Sequence, residues 1–368
     1  MSEEYGASVT PVSGVNTAWD AAGFRDEVEA ALQSFIDDQQ SWLGHLGPQA
    51  DSLIAQARIS ISGGKRLRAA FCWWGHLAVA DPADHDALVR ACASLELLHA
   101  SALVHDDYMD ASDVRRGRPA THKAFEAQHR ADGWRGNPEQ YGASAAILLG
   151  DLLLSWADEL LRTSGIPTDR VLSGLDYFDL TRSEVVMGQF LDVSAQAKGR
   201  TTVEEAMNVL RYKSAKYSIE RPLNLGAALA GADDATQSAL TAFGLPLGEA
   251  FQLRDDLLGV FGDPDVTGKP AGDDLSEGKR TVLVAEALNR ASAEDAARLD
   301  AALGTDLDPG SVADLQQVID SSGARQAVED RIAELTDRAL TALASAPVRT
   351  EAQDALRQLA DAATQRAH

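Results

Sequence analysis

Positive charge is in short supply in this chain: 33 lysines and arginines stand against 56 acidic residues, a formal net charge of −23 over 368 residues. A surface so acidic does not hold a phosphate backbone, which argues against nucleic acid as a partner, and it favours solubility. Cysteine is nearly absent, with Cys72 and Cys92 the only two. Both lie in apolar, helix-like stretches and read as buried thiols of a reducing cytoplasm, a disulfide between them being the lesser alternative. No basic start with an apolar core marks a leader peptide. The apolar run Ala145 to Leu154 is broken by Gly150 and Asp151 and is too short to span a bilayer. Alternating strand patterns and fixed-period repeats are missing as well.

What is present favours helices. Alanine and leucine are abundant and β-branched runs are rare, so helices are expected at 84–104, 144–162, 203–230 and 235–261. Glycine and proline are scattered and never form a long linker, which points to one all-α domain, residues 17–368, behind a mobile polar tail at 1–16. Residues 130–141 read as a loop between helices. The stretch 262–278, rich in Gly, Pro and Asp, reads as a longer loop of the kind that is more often functional than accidental. Beyond Arg280 the chain offers helices with solvated charged faces and no motif.

The chemistry concentrates in His105-Asp106-Asp107-Tyr108-Met109-Asp110, followed by Asp113 and the pair Arg115-Arg116. If the apolar run before it continues as a helix, Asp106 and Asp110 project from one face and repel each other unless a cation joins them. Mg²⁺ suits, since it is usually held by one or two carboxylates together with substrate phosphates, while arginines grip the remaining phosphate oxygens. Alone, such an acidic run is more often a solvated helix end. A second cluster, Phe251-Gln252-Leu253-Arg254-Asp255-Asp256-Leu257-Leu258-Gly259 with Asp263 beyond, changes that reading. Two acidic pairs on separate helices can face each other and hold metals around a diphosphate. Lys65 and Arg68, three apart at a helix start behind Gly63-Gly64, form a candidate metal-free anion site.

From Ile61 to Thr281 the ordered motifs resemble the trans-isoprenyl diphosphate synthases. They are Gly63-Gly64-Lys65-Arg66-Leu67-Arg68, Glu96-Leu97-Leu98-His99, the first aspartate motif with Arg115-Arg116-Gly117-Arg118-Pro119, Gly188-Gln189-Phe190-Leu191-Asp192, Tyr212-Lys213-Ser214-Ala215-Lys216, the second aspartate motif, and Gly268-Lys269, Gly272-Asp273-Asp274 and Gly278-Lys279-Arg280. The resemblance implies an antiparallel helix bundle of the isoprenoid synthase type, working as a homodimer with three Mg²⁺ per site, Mn²⁺ being an alternative. Asp106, Asp110 and Asp255 would be direct metal ligands. Asp107, Asp192, Asp256 and Asp263 would support metal-bound water. Arg115, Lys213 and Lys269 would hold an allylic diphosphate, with Gln189 and Ser214 adding hydrogen bonds. Lys65, Arg68, His99 and Arg116 would hold isopentenyl diphosphate, and the released diphosphate would accept the proton lost on condensation.

Two positions depart from the family pattern: Gly259 stands where many relatives carry a third aspartate, and Ala69 where proline is usual. The sequence from Asp255 to Asp263 also resembles the second metal motif of class I terpene cyclases, the main rival reading; a cyclase, however, has no use for a second diphosphate site. A regulatory subunit of a heteromeric synthase would be expected to lose metal aspartates, and both pairs are kept. Ser101 and Ala102, both small, border the expected path of the growing tail, which would then meet Leu97, Leu98 or the 147–154 helix. Geranylgeranyl diphosphate is the expected product, with farnesyl or longer polyprenyl chains as alternatives.

Overall fold

Helices dominate the computed structural model, which describes residues 21–263 and 272–364. The tail expected at 1–16 and Lys269 lie outside the described residues. In chain order come α1 (Ala21–Leu43), α2 (Pro48–Ile61), α3 (Leu67–Leu77), α4 (His85–Met109), the two-residue strands β1 (Val114–Arg115) and β2 (Arg118–Pro119), α5 (Thr121–Ala131), α6 (Pro138–Arg162), α7 (Thr168–Lys198) and α8 (Val203–Leu210). A π-helical segment, Arg211–Glu220, leads directly into α9 (Arg221–Ala230). After it come α10 (Asp234–Phe261), α11 (Asp273–Ser276), α12 (Val282–Arg290), α13 (Ala293–Ala302), α14 (Pro309–Ser321), α15 (Ala324–Ser345) and α16 (Thr350–Thr364).

The helix starts carry local causes. Asp84 accepts from Ala87 N–H ahead of α4, and Asn137 accepts from Glu139 and Gln140 with Pro138 in the first turn of α6. That cap shortens the expected 130–141 loop to 132–137. Thr202 and Glu205 form a reciprocal capping box at α8. The expected helix 203–230 is continuous in path but changes its winding in the middle.

α4 is the central helix. By length and composition it could cross a bilayer, but 78% of its apolar window is buried inside the protein, as befits a core helix. Phe71, Leu95, Leu97, Leu149, Phe178 and Phe243 pack with it into the larger core. A second cluster joins the C-terminal half of α10 to α12, α14 and α15 through Leu253, Leu257, Val284, Ile319 and Ile332. Cys72 and Cys92 are free and buried in the first core. Each fully buried leucine contributes roughly 1.5–3 kcal/mol, so both aspartate motifs end on helices that the core holds firmly.

The π segment lies between α7 and α10. A Cβ on Gly188 of α7 would run into the backbone of Tyr212 and Lys213, and one on Gly248 of α10 would strike Ala215. Only glycine admits the wider winding at these two crossings. Charge fixes it: Glu184 on α7 accepts from Lys216 Nζ at 2.7 Å and from Arg221 Nε and Nη2 at 2.7 and 2.9 Å. On the other side, Arg211 Nε donates to Glu249 Oε1 at 2.7 Å.

Candidate active site

α4 continues through its motif to Met109, so Asp106 and Asp110 share a face, with Asp110 capping the helix end. Both motifs border a cavity of about 1250 Å³. On α4, His99, Ala102, Leu103, Asp106 and Met109 form the stripe that lines it. Leu97, Leu98 and Ser101 are buried in the core and do not form part of its wall. Of the four residues expected to limit tail length, Ala102 alone lines the cavity. The apolar wall is built instead by Leu103, Met109, Ile147, Val185, Val186 and Phe190. Helical rotation accounts for Leu97 and Ser101, which sit on the far side of α4 from Asp106, whereas Leu98 lies one turn before Ala102 on the same side and is covered by the core.

At the first motif Asp106 and Asp107 have fixed cationic neighbours. Asp106 Oδ1 accepts from Gln189 Nε2 at 2.8 Å and lies 3.5 Å from Lys213 Nζ. Burial pushes this carboxyl up, but Lys213, Lys279 and Arg115 outweigh it and hold it below the ordinary range. Asp107 is buried and accepts from Arg115 Nε at 2.7 Å and also from Nη2. Burial nevertheless holds Asp107 above the usual carboxylate value. Asp110 is pushed to about 6 by burial and by the charge of Asp106. Lys213 Nζ bonds Asp192 Oδ2 at 2.6 Å, and although burial works against its charge, Asp106 and Asp192 raise it.

The second motif differs. Asp255 is exposed at the cavity rim and Asp256 is buried, accepting from Gln252 Nε2 at 2.8 Å. Burial, reinforced by Asp274 and Asp255, pushes Asp256 to about 8. A Cβ on Gly259 would run into the carboxylate of Asp274, so Asp274 fills the room where a third motif side chain would start. Lys279 Nζ pairs with Asp274 Oδ1 at 3.2 Å and with Glu277. Arg254 fixes the motif from behind, with both guanidinium nitrogens 2.6 Å from Glu329 on α15 and Nε 3.1 Å from the Thr364 carbonyl on α16. Asp263 is exposed past α10 and does not line the cavity.

Lys65, Arg68 and His99 also line the cavity. Arg116, exposed on the β1–β2 turn at φ 52°, donates to the Ser62 carbonyl at 2.7 Å and lies over Gly64, which leaves room for it. Arg66, at φ 51° ahead of α3, is buried and pairs with Glu96 at 3.2 Å and with Glu29. That anchor leaves Lys65 and Arg68 turned toward the cavity.

The structure therefore brings together Lys65, Arg68, His99, Asp106, Arg115, Gln189, Asp192, Lys213, Ser214, Asp255 and Asp256, with Asp107, Asp110 and Arg116 at their margins. Sequence reasoning gave no role to Arg66, Glu184, Tyr217, Asp274 or Lys279. Asp274 and Lys279 stood in quoted motifs, and Tyr217 follows Lys213 by one turn, which was the available signal. Among the described residues no three His, Cys, Asp or Glu side chains converge to hold a metal by themselves. Asp106 on α4 and Asp255 and Asp256 on α10, lining one open cavity from two helices, fit a hard cation that shares its coordination with substrate phosphates.

Known proteins match this arrangement. The family model described as polyprenyl synthetase matches residues 52–321. A geranylfarnesyl diphosphate synthase of Natronomonas pharaonis is 35% identical over 240 residues, 61% of this chain and 65% of that protein. A geranylgeranyl diphosphate synthase of Methanosarcina mazei is 32% identical over 270 residues, 70% of this chain and 77% of that protein. Among solved structures, a geranylgeranyl pyrophosphate synthase of Corynebacterium glutamicum, complexed with isoprenyl diphosphate and magnesium, superposes with a TM-score of 0.92 at 41% identity. That match covers 95% of this chain and 100% of the other. A family match over most of the chain, on a fold that carries the expected helices and both acidic motifs to one cavity, shows that this enzyme belongs to the polyprenyl synthetase family, the trans-prenyltransferases.

Proposed function

We propose that the chain condenses isopentenyl diphosphate with allylic diphosphates, from dimethylallyl through farnesyl, and releases geranylgeranyl diphosphate. The observation that carries this reading is a single cavity lined by two unlike sets of residues: the acidic motifs with Lys213, and the basic set Lys65 and Arg68 with His99. A cyclase handles one diphosphate and has no use for the second set, and an idle subunit has no use for either.

The relative solved with magnesium supports a Mg²⁺ requirement, three ions per site being the number we propose, with Mn²⁺ able to replace them. Asp106, Asp110 and Asp255 would hold the metal, which supplies charge neutralisation for the departing diphosphate. Asp107, Asp192 and Asp256 would orient its water. Lys213, Arg115 and Ser214 bind the allylic diphosphate oxygens, and Gln189 keeps Asp106 in place. Lys269 and Asp263 are carried in this proposal by family resemblance alone. Cleavage of the allylic carbon–oxygen bond leaves its electron pair on diphosphate. A carbon–carbon bond then forms to the isopentenyl alkene, and the diphosphate takes the proton lost from the new chain. The apolar wall around Ala102, Ile147 and Phe190 receives the tail.

Ile147, Val186 and Phe190 line the cavity yet are 46, 61 and 64% exposed, continuous with exposed Leu148 and Met187 on α6 and α7. We assign this apolar face to a second copy in a homodimer. Two free buried thiols suit a cytoplasmic setting.

The test incubates the purified enzyme with Mg²⁺, labelled isopentenyl diphosphate and each allylic primer, and resolves products by chain length. A twenty-carbon product is expected. Longer chains would place the pocket floor deeper, whereas diphosphate release without elongation would overturn the reading.

A further inference from the structure

Tyr217, on the π segment, is buried at 5% exposure, and its ring lines the cavity beside His99. Its hydroxyl oxygen lies 2.9 Å from His99 Nδ1, the rings tilted by 55° at a centroid separation of 6.1 Å. Either group can donate in such a pair, so the surroundings decide. The Arg68 guanidinium, which has donors only, covers the Tyr217 ring at 4.2 Å and donates to Ser218 Oγ at 2.8 Å. Burial, with Arg68, Arg116, Arg115 and Arg66 nearby, holds His99 well below its ordinary value, so the ring is neutral and carries one N–H. Burial also pushes the Tyr217 phenol up to about 12, which keeps it a donor.

A neutral histidine with its hydrogen on Nδ1 would turn a bare Nε2 lone pair toward a site furnished with cations for an anion. With the hydrogen on Nε2 it offers a donor instead. We propose that Tyr217 is a positioning residue that donates to His99 Nδ1 and fixes the Nε2–H tautomer, so that His99 presents a neutral donor to the second diphosphate. The proposal rests on reading Lys65, Arg68, His99 and Arg116 as the isopentenyl diphosphate site, and it deepens that reading. Lys213 and Tyr217 both face the cavity, while Lys216 between them turns to Glu184 on α7.

Tyr217→Phe keeps the ring and its stacking under Arg68 and removes only the hydroxyl, so the variant isolates the hydrogen bond. At saturating allylic substrate the KM for isopentenyl diphosphate should rise about tenfold, the loss of one hydrogen bond of about 1.4 kcal/mol. The allylic KM and kcat should stay within about twofold, a split that general loosening of the fold would not give. Nitrogen-15 spectra of histidine-labelled protein, with the His99 signals identified by their loss in His99→Gln, should show Nε2–H in the parent and a mixed or reversed tautomer in Tyr217→Phe. In a His99→Gln background, which retains an N–H donor, the Tyr217 change should add nothing. An unchanged tautomer, or a fall in kcat with both KM values intact, would overturn the role given to Tyr217. If His99→Ala leaves the KM for isopentenyl diphosphate unchanged while the tautomer responds to Tyr217→Phe, it is the second-diphosphate reading that fails.

Discussion

Two of the three carboxylates at the end of α4, Asp106 and Asp107, face fixed cations, whereas the buried Asp256 at the end of α10 faces another carboxylate. Asp106 has Lys213 and Asp107 has Arg115, each set by geometry that exists before any substrate arrives. Asp256 has an amide from Gln252 and the charge of Asp274, and it rises to about 8. The first motif is organised by the protein. The second keeps a proton on Asp256 that an incoming cation must displace.

The largest expected break comes from Asp106→Asn. It removes a proposed metal ligand and the neighbour of Lys213, and should lower kcat by about 10³-fold, the scale of losing one preorganised electrostatic group. Asp256→Asn should lower kcat less and leave the metal-free protein as stable as before, because the neutral amide resembles the protonated acid already favoured there. Asp107→Asn should instead lower the Tm by leaving Arg115 partly buried beside a neutral group, a cost of about 1–3 kcal/mol. Kinetics and thermal melts on the three variants test the contrast; equal losses of Tm at Asp107 and Asp256 would remove it.

Next in size is Glu184→Gln. It weakens the attachment of Lys216 and Arg221 to α7, and through the π segment it loosens Lys213. A fall in kcat of roughly tenfold is expected, and activity at the wild-type level would show that the glycine crossings alone hold Lys213. Gly259→Asp restores the third acid of the family pattern but collides with Asp274. It should raise the Mg²⁺ concentration needed for half-maximal rate several-fold, and an improved Mg²⁺ response would mean that Asp274 yields freely.

The smallest effect is the pH dependence of stability without metal. A carboxyl raised to about 8 in the folded protein binds its proton more tightly there than when unfolded, so its contribution is complete at low pH and lost as pH rises through 8. His76, lowered to about 4 by burial, changes stability in the opposite sense, but only below its unfolded value near 6.5. Between pH 6.5 and 8 the metal-free Tm should therefore fall, and Mg²⁺ should flatten the curve. A metal-free Tm that climbs through this window would contradict the assignment at Asp256.

Much of the site was legible from spacing. Asp106 and Asp110 share a face because α4 keeps its winding to Met109, and the expected helices at 84–104 and 235–261 differ from the structure by a few residues at their ends. Orientation about the axis was harder to read. Leu97, Leu98 and Ser101 looked like neighbours of the tail, but the core covers them while Ala102 and Leu103 line the cavity. The π winding left no mark in composition, since it follows from glycines on α7 and α10 and from the charge on Glu184, all distant in sequence.

By itself the sequence determined the all-helical class, the two acidic motifs and the basic segment from Lys65 to Arg68, because each depends on neighbours within one or two turns. Tertiary structure alone decided which carboxylates meet a cation and which meet a carboxylate, how Asp274 comes to fill the space at Gly259, and that a tyrosine on a π-helical turn reaches a histidine on α4. Those outcomes depend on distances between helices, which packing fixes and no local pattern records.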